Sequence, residues 1–345
     1  MLRRKVASLT SLLAAFVVLS GGTVFAATAQ PNANNGSASD NGLKVSPVRS
    51  DVTINAGSTQ ALQVTVTNVT SSVSSYDVVV NDFTAGSDES GQPQILLDST
   101  KFAPSHSLKR LVGNLGTVTL QPGESKNVNV PIAIPANYAA GGYYGAIRFA
   151  PHTDKNATNK NVTLSASVGS LVLVTVPGDI HEQVTVASMD AREAVDANQV
   201  DTPRTVFFDG KAINGVVRFQ NSGDVQEQPF GKITLKNWRG KAIGTYEVNS
   251  TTPRGNVLPD SIRKFSVPMK DVGGFGKYTM TGNFGYGNKG QLITASTTFY
   301  VIPVLSLVII ALVIALILFL IFGLPRVIKW YNRRVVSRAN GSRNR

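Results

Sequence analysis

The feature that most constrains this chain is an uninterrupted apolar run near its C-terminus. Val304 to Leu324 holds 21 residues without a charge. At a rise of ~1.5 Å per residue, a helix of that length covers about 31 Å, which is enough to cross the hydrocarbon core of a bilayer. The sequence therefore predicts a transmembrane helix over residues 302–324.

The residues after this run are basic, and they set the predicted orientation. Residues 325–345 contain seven Lys or Arg residues and no Asp or Glu. The positive-inside bias therefore predicts a cytoplasmic tail on a single-pass type I membrane protein whose N-terminal region is extracellular. Aromatic rings follow the run at headgroup level, and the predicted partner there is the lipid bilayer. The predicted membrane-interface anchors are Arg326, Lys329, Trp330, Tyr331, Arg333 and Arg334.

The N-terminus has the pattern of a secretory signal peptide. Three basic residues precede an uncharged apolar run and a small-residue exit at Ala27-Thr28-Ala29, which predicts a signal over residues 1–29. Val24-Phe25-Ala26 is a competing cleavage site, and a retained N-terminal anchor is the alternative, although the run is short for a membrane span. Residues 30–43 are mostly Asn, Ser, Ala and Gly, so we expect a flexible leader that cannot offset its ordering entropy.

The net charge of +12 invites a nucleic-acid interpretation, but its distribution argues against one. Of the 33 basic residues, three lie in the predicted signal and seven in the tail, which leaves 23 against 21 acidic residues. The predicted ectodomain is nearly neutral and has no electrostatic footprint for nucleic acid. The chain has no cysteine, so packing alone must hold its core, as is common on Gram-positive-type bacterial surfaces.

Residues 44–301 alternate between apolar and polar residues with a period of two. Leu62, Val64 and Val66 are separated by polar residues, and the stretch 128–134 follows the same pattern, which is typical of half-buried strands. The predicted fold class is all-β: two tandem immunoglobulin-like β-sandwich domains followed by one C-terminal transmembrane α-helix. We place the first domain at residues 44–178 and the second at 179–301, divided at Pro177-Gly178.

The supply of catalytic groups is poor. Residues 181–185 depart from the zinc-protease motif because Thr185 replaces the second histidine and the segment alternates like a strand. Residues 285–290 spell a dinucleotide fingerprint but lie between strand-like runs, so they predict a hairpin turn. The prediction is a non-enzyme without metal or cofactor. The alternative is a wall-active hydrolase with dispersed catalytic residues, among which His181, Glu182 and His152 are the candidates.

Two aromatic features are predicted binding residues. Tyr138, Tyr143 and Tyr144 surround a Gly-Gly pair that allows close backbone approach, so their rings could stack on sugars or contact a partner. Trp238 and Arg239 lie at a predicted hairpin tip, and both residue types are common interface anchors. The alternative is that the tyrosines are core and corner residues of a sandwich, and that Trp238 folds back on its own hairpin.

The order of turn and strand motifs carries a resemblance to a known family. The motifs in residues 44–178 are Val45-Ser46-Pro47, Leu120-Gln121-Pro122-Gly123-Glu124, Ile134-Pro135 and Gly141-Gly142-Tyr143-Tyr144-Gly145. Those in residues 179–301 are Phe219-Gln220-Asn221-Ser222-Gly223, Gly231-Lys232-Ile233, Val257-Leu258-Pro259, Arg263-Lys264-Phe265 and Phe275-Gly276-Lys277-Tyr278. In this order they resemble the WxL-interacting proteins, a bacterial family with two immunoglobulin-like domains, a signal peptide and a C-terminal transmembrane helix.

The resemblance implies peptidoglycan attachment for the first domain and contact with surface proteins or host matrix for the second. It implies no catalytic or metal-ligand position. We therefore expect a non-enzymatic, membrane-anchored bacterial cell-surface scaffold or adhesion protein that binds cell-wall polymer, partner surface proteins or both. A mechanical spacer or assembly helper is a further alternative.

Overall fold

The computed structural model describes residues 37–38, 42–98, 100–152, 167–194, 202–209 and 213–341. The predicted signal peptide lies outside these residues. All of the described residues belong to one compact unit. They are mostly β-strand, with a 3-10 turn at Lys109–Leu111 and a single long helix at the C-terminal end, so the prediction of a β protein with one C-terminal helix is confirmed.

The described residues between 37 and 176, here called the N-terminal half, form two sheets. The strands of the first sheet, in spatial order, are β1 (Ser37–Ala38), β2 (Leu43–Ser46), β4 (Thr59–Asn68) and β8 (Ser125–Ala133). Those of the second are β3 (Arg49–Thr53), β10 (Val168–Val176), β9 (Gly141–Pro151), β5 (Ser74–Ala85) and β6 (Pro93–Ile95), while β7 (Thr117–Leu120) also pairs with β5.

The alternation predicted from sequence determines which side chains enter this core. Val64 and Val66 on β4 are fully buried, whereas the intervening Thr65 hydroxyl donates to Asn127 Oδ1 on β8 at 2.8 Å from the outer face. Because successive strand side chains point to opposite faces, one face packs and the other stays wet. The residues at the centre of this core include Val64, Val66, Val130, Ile132, Phe149, Val172 and Val174.

The predicted flexible leader over residues 30–43 differs from the structure at its end. Ser37–Ala38 forms the short strand β1, which pairs antiparallel with β2 at Val45 and Lys44. Leu43 is the first residue of β2, and its side chain is buried in the core. The composition of this segment indicates only that it has little apolar surface to bury, whereas a strand pair needs only backbone donors and acceptors. The rest of the leader lies outside the described residues.

Residues 184–301, the C-terminal half, form two more sheets around a separate core. The first contains, in order, β11 (Val184–Glu193), β13 (Ile213–Asn221) and β16 (Ser261–Pro268). The second contains β12 (Val206–Phe207), β18 (Gln291–Val301), β17 (Gly276–Tyr286), β14 (Phe230–Lys236) and β15 (Ala242–Val248). Aromatic rings dominate this core, and Phe219 packs edge-on against Phe284 with centroids 4.9 Å apart. The predicted hairpin turn is confirmed, since β17 and β18 are joined through Gly287 and Gly290.

The C-terminal helix consists of α1 (Val304–Leu318), a π-helical turn at Phe319–Gly323 and α2 (Leu324–Gly341). Its segment Val304–Arg333 is long and apolar enough to cross a membrane, with a window of mean hydropathy 3.5 and no side chain of that window buried. The helix begins at Val304 rather than at residue 302 because Pro303 takes the position before its first turn.

The predicted interface anchors all lie in α2. Arg326 turns its guanidinium back to the Phe322 carbonyl at 2.8 Å. The side chains of Lys329, Trp330, Tyr331 and Arg333 are exposed, and Arg334 lies further along the same helix. Their role at a membrane surface and the orientation of the helix stay predictions.

Candidate binding cleft between the two halves

A small apolar cluster joins the two halves. Phe83, Tyr144 and Leu173 of the N-terminal half are buried together, and Leu258 of the C-terminal half packs against them. Phe83 and Tyr144 lie with ring centroids 6.0 Å apart. Because these side chains point away from the main core of their own half, they need the other half to cover them.

Polar contacts beside this cluster set how the halves meet. Glu89, at the tip of the β5–β6 hairpin, accepts hydrogen bonds from Arg218 Nε at 2.6 Å and from Arg218 Nη2. This pairing holds the pKa of Glu89 below its ordinary value and raises the pKa of Arg218. Two main-chain bonds add to it: Lys264 N donates to the Glu89 carbonyl at 2.9 Å, and Gly142 N donates to the Asp224 carbonyl at 2.7 Å. Bidentate pairs fix orientation as well as distance.

Two cavities open along this junction, and together we call them the cleft. The larger, of about 530 Å³, lies between strands β3, β10 and β6 on one side and β16 with residues 249–258 on the other. The smaller, of about 440 Å³, is lined by Tyr144, His106 and Asp260. Both have Phe83 and Leu258 in their walls. Volumes of this size and a largely apolar lining are typical of ligand sites.

The larger cavity contains a cation that lacks an anionic partner. Arg263, on β16, donates from Nη1 to the Asn256 carbonyl at 2.8 Å, while its Nε is buried without a hydrogen bond. Within the described part of the chain, Arg263 forms no ion pair. Its guanidinium lies over the Phe265 ring, 5.0 Å from the centroid. A Cβ at Gly91 would overlap the guanidinium, so glycine there permits the close approach.

The electrostatics of the larger cavity favour an anion. Burial lowers the pKa of Arg263, and repulsion from Arg49 across the cavity lowers it further. Arg49 is paired with Asp51 at 2.8 Å, and Glu247, the one acidic residue of the lining, is paired with Lys232 at 3.5 Å. Taking a charge out of water is costly unless a counter-charge replaces the lost hydration. A carboxylate or phosphate next to Arg263 would supply that counter-charge.

Backbone strain is concentrated around the cleft. Among the described residues, four non-glycine residues have positive φ: Glu89, His106, Asn249 and Asp260, with values between 53° and 59°. Each of them lines one of the two cavities. Such conformations are costly and cluster at functional sites. The positive-φ conformation of Asn249 is stabilised by its side-chain amide, which donates to the carbonyls of Pro229 and Gly255 at 2.8 and 2.9 Å.

The structure places the predicted tyrosines in the interior. Tyr138 is half-buried and packs against Tyr143, which donates to the Ala139 carbonyl at 2.8 Å. Burial raises the pKa of Tyr143 to about 12. Tyr144 is buried at the junction, where its hydroxyl donates to Gln226 Oε1 at 2.9 Å. Stacking of a ligand on Tyr143 or Tyr144 would require packing to open, because the two side chains are 8% and 2% exposed, although Tyr144 reaches the wall of the smaller cavity. Their role in binding stays a prediction.

Trp238 and Arg239 lie at the β14–β15 hairpin tip, where the sequence predicts them. The Trp238 side chain is 64% exposed, and the Arg239 guanidinium lies 4.6 Å from its ring centroid. The indole leans on Gly276 at the start of β17, since a Cβ there would lie 3.4 Å from Trp238 Cδ1. This site is separate from the cleft.

The candidate catalytic residues do not converge. His152 pairs with Asp77 at 2.7 Å in the N-terminal half. The Glu182 carboxylate accepts bonds from the Asn288 backbone and side chain in the β17–β18 turn, and His181 N donates to Asp224 at 3.1 Å. Across the described residues no group of three His, Asp or Glu side chains is arranged to hold a metal ion.

Local sequence patterns single out none of Arg263, Arg49 and Glu89. Arg263 lies in a motif quoted for the family resemblance, but a charged residue on an alternating strand predicts an exposed face. Part of its cover comes from Gly91, more than a hundred positions away, and a local pattern does not reveal that contact.

Comparisons with known proteins give distant likenesses. No protein-family model matches the chain, and no curated protein matches it. Among solved structures it is similar to the class 5 fimbriae chaperone CfaA, with 10% identity and a TM-score of 0.36 over 76% of this chain and 100% of that one. It is similar to the E. coli chaperone DraB, with 14% identity and a TM-score of 0.32 over 75% of this chain and 96% of that one. It is also similar to the Pseudomonas aeruginosa CupB2 chaperone, with 10% identity and a TM-score of 0.31 over 73% of this chain and 98% of that one. Likeness at these TM-scores carries no function over to this chain.

Proposed function

We propose that the chain is a non-enzymatic, membrane-anchored bacterial cell-surface protein that binds an anionic group of a cell-wall polymer or partner surface protein in the cleft. The observation that carries the proposal is the half-buried Arg263 guanidinium, which has no ion pair within the described residues and borders an open cavity of about 530 Å³. Carboxylates and phosphates occur on both kinds of partner, and they match the planar donor array of arginine.

The apolar lining supplies the second part of the interaction. Leu171, Leu173 and Val267 line the cavity beside the cation. A partner that buries an apolar segment against these side chains while its anion meets Arg263 would gain hydrophobic energy and a charge-assisted bond. The locked contact between Glu89 and Arg218 supports a preformed cleft.

Anchoring and domain organisation are further parts of the proposal. The segment Val304–Arg333 is the proposed membrane span, with the basic α2 end in the cytoplasm and both halves outside. Each half, with its own core and two sheets, is proposed as one immunoglobulin-like domain. Membership of the WxL-interacting family, and with it wall attachment, is a proposal that rests on the sequence motifs.

The test is a pull-down with the full-length chain in nanodiscs against two baits, isolated peptidoglycan sacculi and a surface-protein extract of the same organism. Arg263→Met removes the cation, and Lys126→Met is the matched control because Lys126 is exposed on β8. We expect retention of one bait by the wild type and the control, and its loss with Arg263→Met. Equal retention by all three chains would refute the cleft as the site. Release of soluble wall fragments during incubation would favour the hydrolase alternative.

A further inference from the structure

The C-terminal half has an aromatic patch at the end from which the helix departs. The patch consists of Trp238 at the β14–β15 tip, Phe275 in the loop before β17, and Tyr300 on β18. Their side chains are 64%, 62% and 44% exposed. They line a shared depression of about 460 Å³ with Gly276, Lys277, Val301 and Ile302. Exposed apolar clusters of this kind mark interaction surfaces.

The patch lies directly before the proposed membrane span in the chain. Val301 ends β18 and Val304 begins the helix. Three Cα steps cover at most about 11 Å, and the headgroup layer on each side of a bilayer is roughly 5–8 Å thick. Because Val301 and Ile302 line the patch themselves, its rings are within reach of the headgroup layer when the helix spans a bilayer.

The chemistry of the patch matches that layer. Trp and Tyr rings concentrate at membrane interfaces because they have an apolar body and a polar edge. Arg239 lies over the Trp238 ring and Lys277 lines the depression, while the lining contains no acidic residue. Basic side chains near anionic lipid are attracted to its phosphates.

We propose that this patch docks on the headgroup layer of the outer leaflet and holds the C-terminal half against an anionic lipid surface. The docking rests on the proposed membrane anchoring of Val304–Arg333. It assigns Trp238 and Arg239 to lipid contact and leaves the cleft, on other elements, free for a partner. An unanchored or loosely tethered protein would present the cleft at varying heights, whereas a docked one presents it at a fixed height.

The test uses the two tryptophans of the full-length chain in nanodiscs that contain phosphatidylglycerol and a lipid with a headgroup nitroxide. In a Trp330→Phe background, the fluorescence of Trp238 reports docking. In a Trp238→Phe background, Trp330 reports insertion of the helix, since it follows the apolar run. We expect nitroxide quenching in both backgrounds, and loss of Trp238 quenching when Phe275→Ser and Lys277→Gln are added.

Leu292→Ser is the matched control, because Leu292 is 81% exposed at the opposite end of β18 and should leave the quenching unchanged. Near-ultraviolet circular dichroism checks that each variant folds. Quenching of Trp330 without quenching of Trp238 would overturn the docking and leave the anchor intact. Absence of both would refute the anchor and the docking with it. A blue-shifted Trp238 that no nitroxide lipid quenches would mean that protein, such as a second copy, covers the patch, which also overturns the proposal.

Discussion

Strand β8 of the N-terminal half and strand β16 of the C-terminal half occupy equivalent places. Each follows a left-handed turn residue, Gly123 in one and Asp260 in the other, and each pairs antiparallel with a strand that ends in a buried asparagine. In this register, Lys126 pairs with Val66 and Arg263 pairs with Phe219. A basic residue therefore occupies the same register position in both sheets, on the face of the inward-pointing Val66 and Phe219.

The two positions differ in what covers them. Lys126 is exposed, whereas Arg263 is half-buried, with Gly91 of the N-terminal half and the loop residues Gly255 and Asn256 of its own half against it. The same strand position is a solvated surface charge in one half and a desolvated cation in the other. The comparison indicates that the site arises from the packing of the N-terminal half together with the loop at Gly255 and Asn256.

The two halves also share side-chain hydrogen bonds that stabilise equivalent turns. Asn68 and Asn221 each bond two main-chain carbonyls and accept a backbone N–H two residues on. Tyr143 and Tyr278 each donate to the carbonyl four residues earlier, at 2.8 and 3.0 Å. The scaffold repeats, and differences at equivalent positions point to function.

The largest expected effect comes from replacing one of the two equivalent buried asparagines. Asn221→Ala leaves two carbonyls and one N–H without their partner, and we expect a loss of roughly 3 kcal/mol in unfolding free energy. Asn68→Ala should cost a similar amount, while Asn129→Ala on the exposed face of β8 should change stability by less than about 0.5 kcal/mol. Urea denaturation of the full-length chain measures all three. A large effect at one asparagine and none at the other would refute the equivalence of the two turns.

A loss of stability as the pH rises should belong to the C-terminal half. Glu227 forms a β-bridge with Val257 in the C-terminal half, and Ser74 pairs with Leu120 at the equivalent place in the N-terminal half. The C-terminal half therefore has a buried carboxyl where the N-terminal half has a hydroxyl. Burial, with repulsion from Glu182, raises the pKa of Glu227 from its ordinary 4.5 to about 7. The folded state therefore favours the protonated form, and its stabilisation is full below pH 4.5 and lost as the pH rises through about 7.

We expect Glu227→Gln to remove a decline of roughly 2 kcal/mol between pH 5 and pH 8. Denaturation midpoints at the two pH values measure it. Ser74→Ala should keep the wild-type pH dependence. An unchanged slope in Glu227→Gln would show that this carboxyl is not the source.

Replacing the covered cation should separate stability from binding. Arg263→Met removes a desolvated charge and keeps the apolar stem, so we expect unchanged or higher stability, by about 1 kcal/mol. Lys126→Met at the equivalent exposed position should have almost no effect. Thermal unfolding of both variants compares the two positions. A strong destabilisation by Arg263→Met would mean that contacts within the protein already stabilise the guanidinium. That result would contradict the interpretation of Arg263 as a cation that needs an anionic ligand.

The turn residues give the smallest effect. Asp260→Gly relieves a left-handed conformation and should stabilise the chain by roughly 0.5 kcal/mol, while Gly123→Asp should cost a similar amount. Asp260 also lies 4.0 Å from His106 Nε2 and accepts from Ser105 at 3.5 Å. If Asp260→Gly instead destabilises the chain, these contacts outweigh the strain.

Local sequence patterns predicted the elements that depend on neighbouring residues. The alternation in β4 and β8, the turn through Gly287 and Gly290, and the hairpin tip at Trp238 follow from period two and turn chemistry. The β1 pairing at Ser37–Ala38 was missed because backbone bonding leaves no composition signal. The cleft was missed because Glu89 meets Arg218 over a separation of 129 residues, and one sequence does not reveal such a pair.

The most direct test of the unpaired cation is the response of thermal stability to a small anion. Inorganic phosphate is titrated against chloride at constant ionic strength, with the full-length wild type, Lys126→Met and Arg263→Met. A ligand that binds only the folded state raises its stability in proportion to RT ln(1 + [L]/Kd). We expect a rise in melting temperature for the wild type and Lys126→Met, and none for Arg263→Met. An equal rise in all three chains would contradict it.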